Sequence, residues 1–473
     1  MNPVARAHCA RAGALAAAIA LAGAPLSAQP PRGVETFDAA WTIVRDSHFD
    51  ETLNGVDWEA ARAELRPRAM AARTPAELRN VINTMLERLG QSHFAVIPGT
   101  ADVAGGRDLS GDPGFEVRLV SRGVDASGGD RESKGPASSE RPFAGEAKED
   151  LIVTRVDPQG GAAKAGVKPG WKVVEIAGAS VDALLRPLPE NSGRIAGANE
   201  RLRRVEAWRL SETRLRGPSG SILTVAFEDH TGRPVRAGIE RRPEAGEPVT
   251  VGNLPTMFVR VGSEGRNTPG GARAGVIRFN VWMAAVDAPF QRAVDEFRHA
   301  DGIVIDLRGN PGGLAAMMMG ISGHFLDERK PLGVMKTRDA ELRFAANPRR
   351  VSAAGERVKP YAGPLAILVD ALTGSASECF AGGMQSLGRA RVFGQVSMGQ
   401  ALPALFDRLP NGDVLIHAYG DFVTADGTRL EGRGVIPDEV LPLSRETLSA
   451  GRDETLEAAL AWIDRARSAP AAR

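Results

Sequence analysis

The sequence predicts a multidomain chain of mixed α+β and α/β class, with a helical cap, a compact strand-and-turn unit and a carboxyl-terminal α/β core. Three observations predict it. Apolar residues recur at helical spacing in Phe37, Ala40, Trp41 and Val44, and again in Leu78, Val81, Ile82, Met85, Leu86 and Leu89. From Pro113 to Arg242 short apolar runs alternate with Gly and Pro turns. Beyond residue 273, runs such as Ile303 to Leu307 and Leu365 to Val369 alternate with helical stretches, the pattern of a partly parallel sheet covered by helices. A length of 473 residues leaves room for two or three such units.

The first element is residues 1–28. Arg6 and Arg11 precede an alanine-rich stretch from Ala12 to Gly23, and a turn at Pro25 leads to Leu26-Ser27-Ala28. That order is expected of a secretory signal peptide cut after Ala28, too short to span a bilayer. The expectation is an exported chain, periplasmic or extracellular, soluble and with no stable membrane span. Of two cysteines, Cys9 leaves with the signal and Cys379 remains alone, so no internal disulfide is expected. No Cys/His cluster has zinc spacing, and no metal or organic cofactor is implied. A net charge of +1 argues against a nucleic-acid partner, because no positive excess exists to displace counterions.

The helical cap is expected over residues 29–112 and the strand-and-turn unit over 113–242. In the latter, Leu151 to Val153 and Lys172 to Ile176 read as strands, Gly161 to Gly166 as a short helix, and Lys168-Pro169-Gly170 and Ala177-Gly178 as turns. Residues 122–148 are rich in Ser, Gly, Lys and Glu and poor in apolar residues, so a disordered insertion is expected there. Residues 243–272 are expected to be a linker. The core, 273–473, reads as a strand Val276 to Phe279, a helix around Asp287 to His299, the strand Ile303 to Leu307, a Gly-rich turn, a helix through Phe325, the strand Leu365 to Val369, and a helix after Ser377. A hairpin turn at Leu409-Pro410-Asn411-Gly412-Asp413 and a final helix from about Glu454 to Arg467 complete it.

Ser375 falls at a strand-to-helix corner, where a hydroxyl is exposed beside amides with no partner inside the helix. A nucleophilic serine with an oxyanion hole needs that arrangement. Ser375-Ala376-Ser377-Glu378 also fits a capping box, and local pattern alone leaves both readings open. Asp306-Leu307-Arg308-Gly309-Asn310-Pro311-Gly312-Gly313 ends a buried strand and supplies paired glycines, which let backbone approach a ligand closely. Nucleotide-binding GxGxxG and Walker patterns are absent from it.

Two resemblances follow from these residues. Gly114-Phe115-Glu116-Val117 and Ala162-Ala163-Lys164-Ala165-Gly166-Val167-Lys168-Pro169-Gly170-Trp171 resemble a PDZ domain, which implies peptide capture at a sheet edge, with Gly114, Phe115, Glu116 and Val117 as the carboxylate-binding loop. The 306–313 turn, Ser375 to Glu378, and Glu431-Gly432-Arg433-Gly434-Val435-Ile436-Pro437-Asp438 together resemble the carboxyl-terminal processing peptidases and the tricorn core protease. That resemblance covers nearly the whole mature chain. It implies a crotonase-like α/β protease core and polypeptide substrates, including their carboxyl termini.

The sequence departs from the Ser-Lys design of the processing peptidases. In Phe393-Gly394-Gln395-Val396-Ser397-Met398-Gly399-Gln400-Ala401, Gln400 stands at the lysine's place, and an amide has no basicity to take a serine's proton. Leu89-Gly90-Gln91-Ser92-His93-Phe94 resembles the Ser-His element of the tricorn core protease. That resemblance implies Ser375 as nucleophile, His93 as general base and acid, Glu431 as the supporting carboxylate and Ser92 as a bridging hydroxyl. The amides of Ala376 and of Gly312 or Gly313 are implied as the oxyanion hole.

Each residue has a plainer role to set beside this. His93 at a helix end serves as a C-terminal cap, Glu431 as a solvated charge, Asp438 as a turn former and Cys379 as a core residue. His48, in the similar Asp46-Ser47-His48-Phe49-Asp50, reads as structural, and Ser377 as a poorly exposed second serine. The primary expectation is an exported serine endopeptidase of the carboxyl-terminal processing type. Its rivals are a non-catalytic PDZ peptide-binding protein and a crotonase-like acyl-CoA enzyme, which an export signal disfavours.

Overall fold

A computed structural model describes residues 33–99, 110–122, 149–186, 198–251 and 256–468. The expected signal segment lies outside the described residues, as does the expected insertion beyond Arg122.

Helices Gly33–Ser47, Trp58–Ala71 and Pro75–Glu87 form the cap. Asp57 accepts from Ala60 N and Thr74 from Glu77 N, so two of the three helices begin on side-chain caps, the latter followed by Pro75. Phe37, Trp41, Leu65, Ile82, Met85 and Leu89 bury their apolar faces together with Leu409 and Leu415 from a distant hairpin. Trp41 Nε1 donates to Trp58 O at 2.9 Å and Trp58 Nε1 to Trp41 O at 3.1 Å, which satisfies both buried indoles. Strand Ala95–Ile97 then pairs antiparallel with Val414–Ala418, which pairs in turn with Ala404–Arg408.

The middle unit is an antiparallel sheet in the order Phe115–Ser121, Glu149–Val156, Lys172–Ile176, Ile222–Glu228, Pro234–Glu240. Val117, Val153, Val173, Val225 and Ile239 fill its core. Helix Ala198–Leu215 packs along the edge strand Phe115–Ser121.

The core sheet has the order Val261–Asn267, Arg273–Phe279, Gly302–Asp306, Leu365–Val369, Arg391–Gly394, Glu439–Val440. Its first pair is antiparallel and the rest are parallel. Side chains alternate across it. Ile277, Ile305 and Ile367 face helices Asp287–Glu296 and Ala376–Ser386, while Val276, Val304 and Leu368 face the final helix Glu454–Ser468. Burial on both faces is why these strands read as unbroken apolar runs.

Two expectations need amending. The segment expected as a linker, 243–272, supplies Glu247–Val249, Met257–Val259 and the edge strand of the core sheet, Val261–Asn267. That edge strand is almost wholly exposed, so no apolar alternation marks it. The helix expected through Phe325 is only Met317–Ser322, preceded by turns.

Candidate active site

Strand Leu365–Val369 delivers the chain to Asp370, whose Oδ1 accepts from Leu372 N at 3.0 Å and from Gly309 N at 2.8 Å. One carboxylate thus ties the serine's turn to the glycine-rich turn. Ser375 follows with φ 50° and ψ −122°, a strained conformation for a residue with a side chain. Its N–H donates to Gln400 O at 2.8 Å and lies 3.1 Å from Glu378 Oε2. The Glu half of the expected capping box is therefore present, on a corner more strained than a cap requires. Ser377 is fully buried and accepts from Trp282 Nε1 at 2.8 Å, which leaves Ser375 the accessible serine.

The glycine-rich turn passes directly against this corner. Gly312 has φ +105°, and a Cβ there would lie 2.6 Å from Ser375 Cβ and 3.0 Å from Ala376 N. Only glycine fits. Gly312 N donates to the buried Asn310 Oδ1 at 3.0 Å and is spent. Among the described residues the amides of Ala376 and Gly313 have no acceptor.

The cap supplies the other half. His93 has φ 61°, and its Nδ1 lies 2.8 Å from Ser92 Oγ. Ser92 Oγ donates to Glu431 Oε2 at 2.8 Å, and Ser92 N to Glu431 Oε1 at 2.8 Å. Ala401 N completes the carboxylate's partners at 2.9 Å. A hydroxyl has one proton, and an ionised carboxylate only accepts. With that proton on Glu431, the ring must donate from Nδ1, which leaves Nε2 with a lone pair. Burial lowers His93 to about 4, so the ring is neutral near pH 7. Burial raises Glu431. Among the described residues no hydrogen bond joins the His93 ring to Ser375. The two are linked through backbone instead: Gln400 O accepts from the serine's N–H, and the next amide, Ala401 N, donates to Glu431.

His48 is fully buried, with Nε2 2.9 Å from Gln91 Oε1 and its ring 5.5 Å from Phe94, so it braces the His93 segment from outside the site. Cys379 is buried, and its thiol is pushed well up by burial. Asp438 accepts from Val392 N at 2.7 Å. Gly114 N donates to Asp112 Oδ1 at 2.6 Å, Phe115 and Val117 are buried, and Glu116 pairs with Arg278 at 3.2 Å. Glu116 thus faces the core, whereas Phe115 and Val117 pack inside the middle unit and Gly114 lies against Gly160. Among the described residues no His, Cys, Asp and Glu cluster is arranged to hold a metal.

Local reading missed how much Glu378 does. A glutamate amid Ala376, Cys379, Phe380 and Ala381 is the signal that was available, since it must be buried with them.

Residues 273–441 match Peptidase family S41, and residues 34–87 match the Tricorn protease C1 domain. Carboxyl-terminal-processing peptidase 2, chloroplastic, of Arabidopsis thaliana is 26% identical over 86% of this chain and 68% of its own length. A carboxyl-terminal-processing protease of Synechocystis is 24% identical over 89% of this chain and 84% of its own. The solved photosystem II D1 C-terminal processing protease covers 90% of this chain and 98% of its own, with a TM-score of 0.50 and 21% identity. A putative S41 protease from Bacteroides fragilis covers 90% and 97%, with a TM-score of 0.55 and 13% identity. At such identities the structural likeness speaks for the fold alone.

Proposed function

The chain is a serine-type peptidase of family S41, of the carboxyl-terminal-processing kind, and from that premise we propose that it cleaves peptide bonds through an acyl-enzyme on Ser375, with His93 as base. The observation that carries this reading is the Glu431–Ser92–His93 relay, anchored through the Gln400–Ala401 backbone to the Ser375 amide.

Attack by Ser375 Oγ on a peptide carbonyl transfers the hydroxyl proton to His93 Nε2, and the ring passes it to the leaving amine. The imidazolium formed at that moment is stabilised by Ser92 and the carboxylate behind it. The oxyanion is received by the amides of Ala376 and Gly313, since Gly312's is engaged. Water then enters with His93 again as base and releases the acid. In the resting state the ring and the serine are not bonded; the contact tightens when substrate fills the site. Gln400 takes part through its backbone.

The middle unit is proposed as a PDZ-like domain that presents a substrate's carboxyl terminus along the edge strand Phe115–Ser121, and the core as crotonase-like. Export, with cleavage after Ala28, belongs to the same proposal. Among the described residues no helix is long and apolar enough to cross a membrane.

A fluorophosphonate probe with peptide mass mapping tests the assignment. Covalent label on Ser375, absent in His93→Ala at matched times, is the expected result. An unlabelled Ser375 in the intact chain, or equal labelling without His93, defeats it.

A further inference from the structure

Glu378 lies in the first turn of the helix Ala376–Ser386, with 0% of its surface exposed. A carboxylate there is costly unless every lone pair is met. All are met. Oε1 accepts from Ser397 Oγ at 2.5 Å and Gly399 N at 2.6 Å, and Oε2 from Ser375 N at 3.1 Å and Gln400 N at 3.0 Å. Ser397 Oγ itself accepts from Val435 N at 2.7 Å, so its proton goes to Glu378. Four donors and no acceptor face this group, which calls for the ionised form.

A helix cap needs only the contact with Ser375 N. The other three reach the turn where Gln400 stands. Gln400 and Ala401 are consecutive: the first gives its N–H to Glu378 and the second to Glu431. One peptide segment is thus held between a carboxylate on the serine's side and a carboxylate on the histidine's side. We propose that Glu378 is the positioning residue of the nucleophile, its charge locking the strained Ser375 corner to the Gln400–Ala401 segment so that serine and imidazole stay in register. This rests on Ser375 and His93 acting as nucleophile and base.

The titratable groups facing Glu378 are Glu431, across the segment, and Cys379 on its own helix. Burial raises Glu378 to about 7, against the pull of its hydrogen bonds, whereas burial alone lowers His93 to about 4. If the carboxylate must be ionised, turnover falls on the acid side near the higher value. Removing the Ser397 hydroxyl takes a donor from Glu378, destabilises its charged form, and moves that acid limb to higher pH. Glu431's three partners are untouched by the change.

The test is kcat and KM against pH for the full chain, Glu378→Gln and Ser397→Ala, with fluorophosphonate labelling in parallel and thermal melts to verify folding. Expected are a kcat loss of about 100-fold or more in Glu378→Gln with KM within about threefold, and an acid limb in Ser397→Ala displaced upward from the parent's. A folded Ser397→Ala whose limb coincides with the parent's overturns the inference, as does a parent limb near 4. So does Glu378→Gln with kcat and labelling within about threefold of the parent; in that case Ser375 remains the nucleophile. A parent chain that is unlabelled at every pH instead defeats the peptidase assignment, and this inference with it.

Discussion

Replacing Glu431 with glutamine exchanges one carboxylate oxygen for an NH2 at nearly the same volume, and it should disable the base. Three donors converge on this carboxylate: Ser92 N at 2.8 Å, Ser92 Oγ at 2.8 Å and Ala401 N at 2.9 Å. A glutamine offers one accepting oxygen and an NH2 that only donates. With the NH2 at the Oε1 site it meets the Ser92 N–H, donor against donor, and the oxygen left at the Oε2 site accepts from Ser92 Oγ without the charge that stabilises the imidazolium. With the NH2 at the Oε2 site it meets the Ala401 N–H and donates to Ser92 Oγ. The serine's own proton then turns toward His93 Nδ1, and the ring keeps its proton on Nε2, where it cannot accept from Ser375. Each unmet donor costs about 1–3 kcal/mol. Substituting an amide for the supporting carboxylate of a Ser-His-acid set lowers kcat by about 10⁴-fold, through the same tautomer error. That is about 5.5 kcal/mol of transition-state stabilisation. Glu431→Gln should therefore lose turnover on that scale with a near-parental KM and a melting temperature lowered by only a few degrees, the cost of one unmet donor. Fluorogenic peptide hydrolysis measures the rate, and nitrogen NMR of the His93 ring reports which nitrogen is protonated. A kcat within about tenfold of the parent refutes the relay. So does a parent ring already protonated on Nε2.

Ser375→Ala and His93→Ala should each lower peptide turnover by about 10³- to 10⁶-fold, and the double variant should be little worse, because the pair acts as a unit. Gln400→Ala should stay within about tenfold of the parent, since Gln400 serves through its backbone; a loss as deep as that of Ser375→Ala contradicts this. Gly312→Ala places a Cβ 2.6 Å from Ser375 Cβ at φ +105°. It should cost about 1–3 kcal/mol in a denaturant titration and also lower kcat by about 100-fold. Gly427→Ala, at φ +84° where an added Cβ meets nothing within 4 Å beyond its chain neighbours, is its control: the same assays should show a stability loss of about 1 kcal/mol and parental turnover.

Much of the architecture was legible because its causes are local. The helices around Phe37 and Ile82 and the doubly buried strands Ile303 to Leu307 and Leu365 to Val369 announce themselves by spacing and by unbroken apolar runs. The strand Val261–Asn267 was not legible, because an exposed edge strand carries no apolar alternation and its pairing with Arg273–Phe279 supplies the order.

In the site, residue types and turn chemistry alone singled out Ser375 and the paired glycines, and the likeness to known peptidases suggested parts for His93, Ser92 and Glu431. Which amides are free, which carboxylate serves which half, and which nitrogen of His93 bears the proton were decided only in three dimensions. Ser92 and Glu431 stand 339 positions apart, and no periodicity reports a bond across that distance. Gly312 and Gly313 are indistinguishable in the sequence, yet Asn310 engages the amide of one and leaves the other. Glu378 reads as a helix cap until the fold brings Ser397, Gly399 and Gln400 to it. The physical reason is common to all of these. Backbone propensity and burial pattern act over a few residues, whereas a hydrogen-bond network is settled by which groups the packed core brings within reach.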